Sequence, residues 1–181
     1  VMCRTSSDNP NYMFVFNEKL AGSQTYGLRS GAGRGNLPGN SVFSMAVDRD
    51  GEVWVGTDEG VAVFYSPERI FEGDPDAERI LVDFDGYVQY LLETETVKAI
   101  AIDGSNRKWM GTDRAGLFLL SEDGTEQIHH FTEENSPLLS NSINSLAING
   151  ETGEVYIATA KGLIGYKSDA TEPNDPGTEI Y

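Results

Sequence analysis

Apolar residues along this chain fall in short runs broken by Gly, Asp and Asn, and three of those runs share one pattern. They are Asn40-Ser-Val-Phe-Ser-Met-Ala-Val-Asp48, Glu95-Thr-Val-Lys-Ala-Ile-Ala-Ile-Asp103 and Asn141-Ser-Ile-Asn-Ser-Leu-Ala-Ile-Asn149. In the first, Val42, Ser44 and Ala46 alternate with Phe43, Met45 and Val47, with few charges on either side. That period of two predicts an inner strand covered on both faces. Asp48-Arg-Asp-Gly51, Asp103-Gly-Ser-Asn106 and Asn149-Gly-Glu-Thr-Gly153 read as hairpin turns, since these residue types tolerate positive φ.

A second strand follows each turn and carries an aromatic at Trp54, Trp109 or Tyr156, spaced 55 and 47 residues apart. A small residue and Thr57, Thr112 or Thr159 come next, then a turn ending in Gly60, Gly116 or Gly162 and an apolar third strand. A polar fourth strand is expected outside, as at Thr125–Phe131. Leu37, Leu92 and Leu138 stand five residues before the first β-branched residue of each inner strand, and are expected to plug the seams between repeats. Periods of this size, built from short strands and Gly turns, predict one propeller blade per repeat. The fold class is all-β, a β-propeller fragment of about three four-stranded blades.

The organisation expected is residues 1–35 as the end of a preceding blade, 36–167 as propeller blades and 168–181 as a linker toward a following domain. In the first part, Tyr12–Phe16 reads as a third strand and Gln24–Gly27 as part of a fourth. Two complete blades follow, with Ser66–Ala77 as an inserted loop before Glu78–Phe84, and the third lacks an outer strand after Tyr166. From Ser168 the chain turns polar and Pro-rich. The apolar faces ending such a stack would be covered by another copy or by the rest of the parent protein.

Charge narrows the partners. The 181 residues carry 13 Lys and Arg against 29 Asp and Glu, a net charge of −16. A surface that acidic repels phosphate backbones and anionic membranes, so nucleic-acid binding is not expected. Cys3 is the only cysteine, which excludes an intrachain disulfide and a cysteine-rich metal site. No apolar run reaches the roughly 20 residues of a membrane helix, so no membrane insertion is expected.

The three repeats are similar to the two-component regulator propeller repeat, with its Asn-x-β-x-x-apolar-x-x-Asp run, Gly turn, Trp-apolar-Gly-Thr and Gly-apolar elements. The resemblance covers residues 36–167. The third copy departs from it with Asn149, Tyr156 and Ala158 for Asp, Trp and Gly. Asp85–Leu92, Asn106–Gly111 and Ile128–Leu138 also resemble the PorZ-like branch, a surface component of type IX secretion in Bacteroidetes. The resemblance implies a non-catalytic protein of the periplasm or cell surface that binds a partner protein or a glycan. The alternative it leaves open is the oligosaccharide-sensing ectodomain of a hybrid two-component sensor.

Candidate chemistry is sparse. Asp48–Glu52 lacks the spaced oxygen ligands of a calcium loop. His129 and His130 point to opposite faces of a strand and cannot chelate together. With no nucleophile beside a base, neither a catalytic residue, a metal nor a cofactor is expected. The three repeat aromatics are assigned to packing between blades rather than to sugar stacking. Binding residues concentrate on loops held by a rigid scaffold. Topology puts the turns after the second strand on one face with the loops leading into the inner strands. The candidate ligand-binding residues there are Arg34, Asp58, Glu59, Arg114, Lys161, Asn135 and Asn141, accompanied by Asn40.

Overall fold

The β-branched runs become strands and the Gly- and Asp-rich stretches become their turns. The computed structural model describes residues 2–3, 13–17, 24–84 and 86–171. In chain order its strands are β1 (Met2–Cys3), β2 (Met13–Asn17), β3 (Gln24–Leu28), β4 (Val42–Val47), β5 (Val53–Thr57), β6 (Gly60–Phe64), β7 (Leu81–Phe84) and β8 (Tyr87–Tyr90). They continue with β9 (Val97–Ile102), β10 (Lys108–Thr112), β11 (Leu117–Leu120), β12 (Gln127–Phe131), β13 (Ile143–Asn149), β14 (Glu154–Thr159) and β15 (Gly162–Lys167). A single 3-10 turn, Pro67–Glu72, follows β6.

All strand pairs are antiparallel, and the sheets run β1-β2-β3, β4-β5-β6, β9-β10-β11-β12 and β13-β14-β15, with β7-β8 apart as a hairpin. The second repeat is a full four-stranded blade. The first departs from expectation: its outer edge is a single bridge between Val63 and Glu78, and the residues after it form the β7-β8 hairpin. The inserted loop holds itself up through the 3-10 turn and an Arg69–Asp74 ion pair.

Inner strands stand side by side, β9 between β4 and β13. The expected cover on both faces is seen where a described inner strand stands on each side. β9, with a neighbour on each side, is the most enclosed, while β4 and β13 leave Phe43 50% and Val47 62% exposed and Asn144 exposed.

Three apolar clusters fill the seams. Met13, Val15 and Leu28 of the first sheet meet Leu37, Val42, Val53 and Val55. Trp54, Val61 and Val63 meet Leu92, Val97, Met110 and Leu120 of the next blade. Trp109, Leu117 and Leu119 meet Leu138, Ile143, Val155 and Ile157 of the last. Leu37, Leu92 and Leu138 are thus the seam plugs, all buried. The Gly of the repeat is explained by the same packing: a Cβ on Gly111 would run into the Ile143 side chain, and one on Gly56 would sit 2.6 Å from the Val97 carbonyl of the next inner strand.

Both tryptophans are fully buried, and each indole N–H donates to the aspartate that opens its hairpin, Trp54 to Asp48 at 2.9 Å and Trp109 to Asp103 at 3.2 Å. Tyr156 breaks the rule. It is 40% exposed here and its hydroxyl donates to Glu154 instead, with no described blade beyond β14 to pack against.

The hairpin aspartates need cations, and the two blades supply them differently. Asp103 pairs with Arg107 of its own turn at 2.8 Å. The equivalent position in the previous turn is Glu52, which burial and the neighbouring Asp48 push above its ordinary pKa. Asp48 takes its cation from the next blade: Lys108 Nζ lies 3.0 Å from it, both side chains are fully buried, and the ammonium sits 4.9 Å over the Trp54 ring. Lys108 occupies the slot held by Val53 and Val155 in the other copies. Burial alone would raise the Asp48 carboxyl, but hydrogen bonds from Lys108, Trp54 and the Glu52 N–H outweigh it and hold the pKa below normal.

Ser168 and Ala170, the first residues of the stretch expected to be a linker, are buried against this face. Arg107 donates to the Ser168 hydroxyl at 3.0 Å and pairs with Asp169 at 2.7 Å. Residues 172–181 lie outside the described residues.

Candidate functional site

The β5–β6, β10–β11 and β14–β15 turns are built alike because a threonine closes each. The hydroxyls of Thr57, Thr112 and Thr159 donate to the carbonyls of Gly60, Gly116 and Gly162 at 3.0, 2.9 and 2.9 Å. The same oxygens accept the N–H groups of Glu59, Ala115 and Lys161. Each turn then fastens the loop leading into its own inner strand, through Asp58 N–H to Ser41, Asp113 N–H to Thr96 and Ala160 N–H to Ser142. Gly60 and Gly116 reach further, donating to the Glu95 and Asn141 carbonyls in the next blade's loop. Turns and lead-in loops therefore form one continuous, hydrogen-bonded face, opposite the Asp48 and Asp103 hairpins.

The seven candidate residues belong to these turns and lead-in loops, in two roles. Asp58, Asn135, Asn141 and Lys161 brace loops. Asp58 Oδ1 accepts the Asn40 and Ser41 N–H groups, both at 2.8 Å. Lys161 pairs with Glu133 at 2.6 Å, and this ion pair holds the Glu133 carboxyl below its ordinary pKa. Glu133 and Asn141 bind each other reciprocally, Glu133 N–H to Asn141 Oδ1 at 2.8 Å and Asn141 N–H to Glu133 Oε1 at 3.0 Å. Asn135 accepts from Thr132 N–H and donates to the His130 carbonyl. Arg34, Glu59 and Arg114 are exposed, and among the described residues their side chains make no hydrogen bond or ion pair. Arg34 is presented by a glycine loop pinned to Asp76, which accepts from Gly33 N–H at 2.7 Å and Gly35 N–H at 3.0 Å. These loops thus offer two exposed cations, Arg34 on the Asp76-pinned loop and Arg114 on the β10–β11 turn.

Sequence reasoning did not single out the partners that do the bracing: Asp76, Glu133, and the pair formed by Lys98 and Asp113. Lys98 Nζ lies 2.8 Å from Asp113 Oδ1 and 3.4 Å from Asn144 Oδ1, and Ser142 Oγ donates to the same Asp113 oxygen at 3.3 Å. Lys98 keeps the Asp113 carboxyl below its normal pKa. The Thr57-Asp58 and Thr112-Asp113 repeat was the available signal for Asp113.

His129 is exposed on the outer strand, while His130 turns the other way, stacks on Phe118 with ring centroids 4.0 Å apart and bonds the Ala115 carbonyl. Among the described residues no cluster of three His, Cys, Asp or Glu side chains is placed to hold a metal. No helix there is long and apolar enough to cross a membrane.

Residues 36–59 match the two component regulator propeller family. Among solved structures, PorZ, an essential bacterial surface component of the type-IX secretion system of Porphyromonas gingivalis, is 33% identical with a TM-score of 0.80. That match covers 93% of this chain and 24% of PorZ, so the chain spans about a quarter of that protein. The extracellular domain of a hybrid two component system from B. thetaiotaomicron is 22% identical over 88% of this chain and 21% of its own, with a TM-score of 0.61, a likeness of fold. No curated protein matches the sequence.

Proposed function

Since this chain carries the two component regulator propeller repeat and is similar over nearly all its length to PorZ, we propose that it is a non-catalytic platform at the periplasmic or cell-surface side of type IX secretion. Its turn face docks a partner protein or a surface glycan. The observation that carries this reading is the 33% identity to PorZ across 93% of the chain, against 22% to the sensor ectodomain. The site chemistry supports it: exposed arginines on braced loops suit carboxylate or anionic sugar recognition.

The test is a chimera in Porphyromonas gingivalis with this chain in place of the matching segment of PorZ. Cells should still deliver type IX cargo to their surface. A chimera that is stable and exported while cargo stays behind would contradict the reading. The family match favours a second reading, an oligosaccharide-sensing ectodomain. It predicts that this chain, grafted in place of a hybrid sensor's own propeller segment, makes transcription respond to an added oligosaccharide.

A further inference from the structure

The hairpins that join the first two strands of each repeat open on Asp48, Asp103 and Asn149. In all three, one side-chain oxygen accepts two N–H groups of its own turn. Asp48 Oδ1 accepts from Asp50 at 3.1 Å and Glu52 at 2.9 Å, and Asp103 Oδ1 from Ser105 at 2.9 Å and Arg107 at 3.0 Å. Asn149 Oδ1 accepts from Glu151 at 3.1 Å and Thr152 at 3.3 Å. The third turn thus does with an amide what the other two do with a carboxylate. One oxygen suffices there, because Tyr156 sends its hydroxyl to Glu154 and no indole N–H has to be received.

The amide is followed by Gly150, and this is the only Asn-Gly pair in the sequence. With no Cβ on the next residue, the backbone nitrogen can approach an asparagine side chain closely. Elsewhere that nitrogen is engaged. After Asn40, Asn135 and Asn141, the N–H groups of Ser41, Ser136 and Ser142 donate to Asp58, Thr132 and Ser140. In the first hairpin the matching N–H, that of Arg49, donates to Asn106 Oδ1 at 3.0 Å. In the second, a glycine also follows, but Asp103 is a carboxylate paired with Arg107 and a poor electrophile. Among the described residues the Gly150 N–H makes no hydrogen bond, and Asn149 and Gly150 are only half-buried, within reach of water.

The turn also activates the amide. The Glu151 and Thr152 N–H groups polarise the Asn149 side-chain carbonyl, and they already sit on the oxygen that gains charge when Cγ becomes tetrahedral.

We propose that Asn149-Gly150 is a site of spontaneous deamidation, which turns the amide of the third hairpin into the aspartate that the other two carry. Gly150 N gives its proton to water and bonds to Asn149 Cγ. The Cγ–Nδ2 bond breaks and ammonia leaves, closing a succinimide ring that water then opens at either carbonyl. Attack at Cγ gives an aspartate, which keeps both turn hydrogen bonds and adds one negative charge to a turn that already holds Glu151 and Glu154. Attack at the main-chain carbonyl gives isoaspartate, with an extra methylene in the backbone. That methylene would fall where the Gly153 N–H donates to the Asn149 carbonyl at 2.7 Å and where Asn149 pairs with Glu154. It would also disturb the Ser168 N–H, which donates to the Gly153 carbonyl at 2.9 Å. The folded hairpin therefore selects aspartate.

The test follows the full chain at mildly alkaline pH by mass spectrometry of the intact protein and its peptides, for the wild type and Gly150→Ala. Gly150 does not have a positive φ, so alanine fits its backbone, and circular dichroism confirms that the variant folds. The folded wild type should gain the mass of an amide-to-acid exchange at Asn149 before Asn135 or Asn141 does, with an acidic shift in native isoelectric focusing. The main product should co-elute with the matching peptide of N149D, and in G150A the rate should fall several-fold. An Asn149 that reacts only after unfolding in urea, or a rate unchanged in G150A, overturns the proposal. Isoaspartate as the main product of the folded chain overturns the selection by the hairpin.

Discussion

Removing the Lys108 ammonium tests the packing of one blade on the next. Lys108 and Asp48 lie 3.0 Å apart with no side-chain exposure, and the ammonium is further held by the Asn106 carbonyl at 2.8 Å and the Trp54 ring. A buried pair contributes little over an apolar replacement of both partners, but losing one partner leaves a stranded charge and costs about 3–5 kcal/mol. Asp48→Asn should reach that range, since only a carbonyl and a ring would remain to hold the ammonium. Lys108→Met should fall at its lower end, because Asp48 keeps the N–H groups of Asp50, Glu52 and the Trp54 indole. For a chain of this length, each kcal/mol corresponds to roughly 2–4 °C in melting temperature. The double variant should be less destabilised than the sum of the singles, with a coupling of about 1 kcal/mol or more. Urea unfolding of all four proteins measures this. If K108M and D48N each lie within about 0.5 kcal/mol of the wild type, or add without coupling, the pair is not the interblade lock described.

Acid should erase the difference. Asp48 has a folded pKa below its unfolded value, so the stability it contributes is present above the unfolded value near 4 and is lost as pH falls through the folded one. The gap between wild type and K108M should therefore shrink below about pH 4, as unfolding followed at a series of pH values will show. Trp109→Ala should cost about 3–5 kcal/mol, the usual range for a buried aromatic. Tyr156→Ala should be nearly silent in thermal melts, given its exposure. Replacing Arg34 and Arg114 together by Ala should leave the melting temperature unchanged and weaken ligand capture, read by an oligosaccharide array or by partner pull-down.

The blade architecture was legible because it repeats. Three copies of strand, Asp or Asn turn, aromatic, Gly-Thr or Ala-Thr and Gly show the same local problem solved three times, and the seam leucines follow from their spacing alone. What repetition could not reveal is how each copy meets its neighbour. Tyr156 holds the same slot as Trp109, yet its burial depends on what stacks beyond β14. Lys108 reads as an outlier among apolar residues, and its partner, Asp48, is 60 positions away. The signal was the Val-to-Lys change against Val53 and Val155, combined with Glu52 standing where Arg107 stands in the next turn. Register slips in β4, β9 and β13 were invisible for a related reason: the alternating pattern continues through Phe43, Lys98 and Asn144, and only strand pairing shows that the ladder skips them. The outer strand of the first repeat misled because Glu78–Phe84 has strand-like composition but gives the blade only the Glu78 bridge before β7 pairs with β8.

The central claim is that the turn face, not the hairpin face, is the working surface in secretion. The most direct measurement is cargo delivery by Porphyromonas gingivalis cells carrying the PorZ chimera with exposed residues changed on one face at a time. Arg34→Ala with Arg114→Ala should block delivery while the chimera remains at its wild-type level in the cell envelope. Ser105→Ala with Glu151→Ala, both exposed on the hairpin face, should leave delivery intact. The reverse pattern, with the arginine variant secreting normally and the hairpin variant failing, would contradict the account.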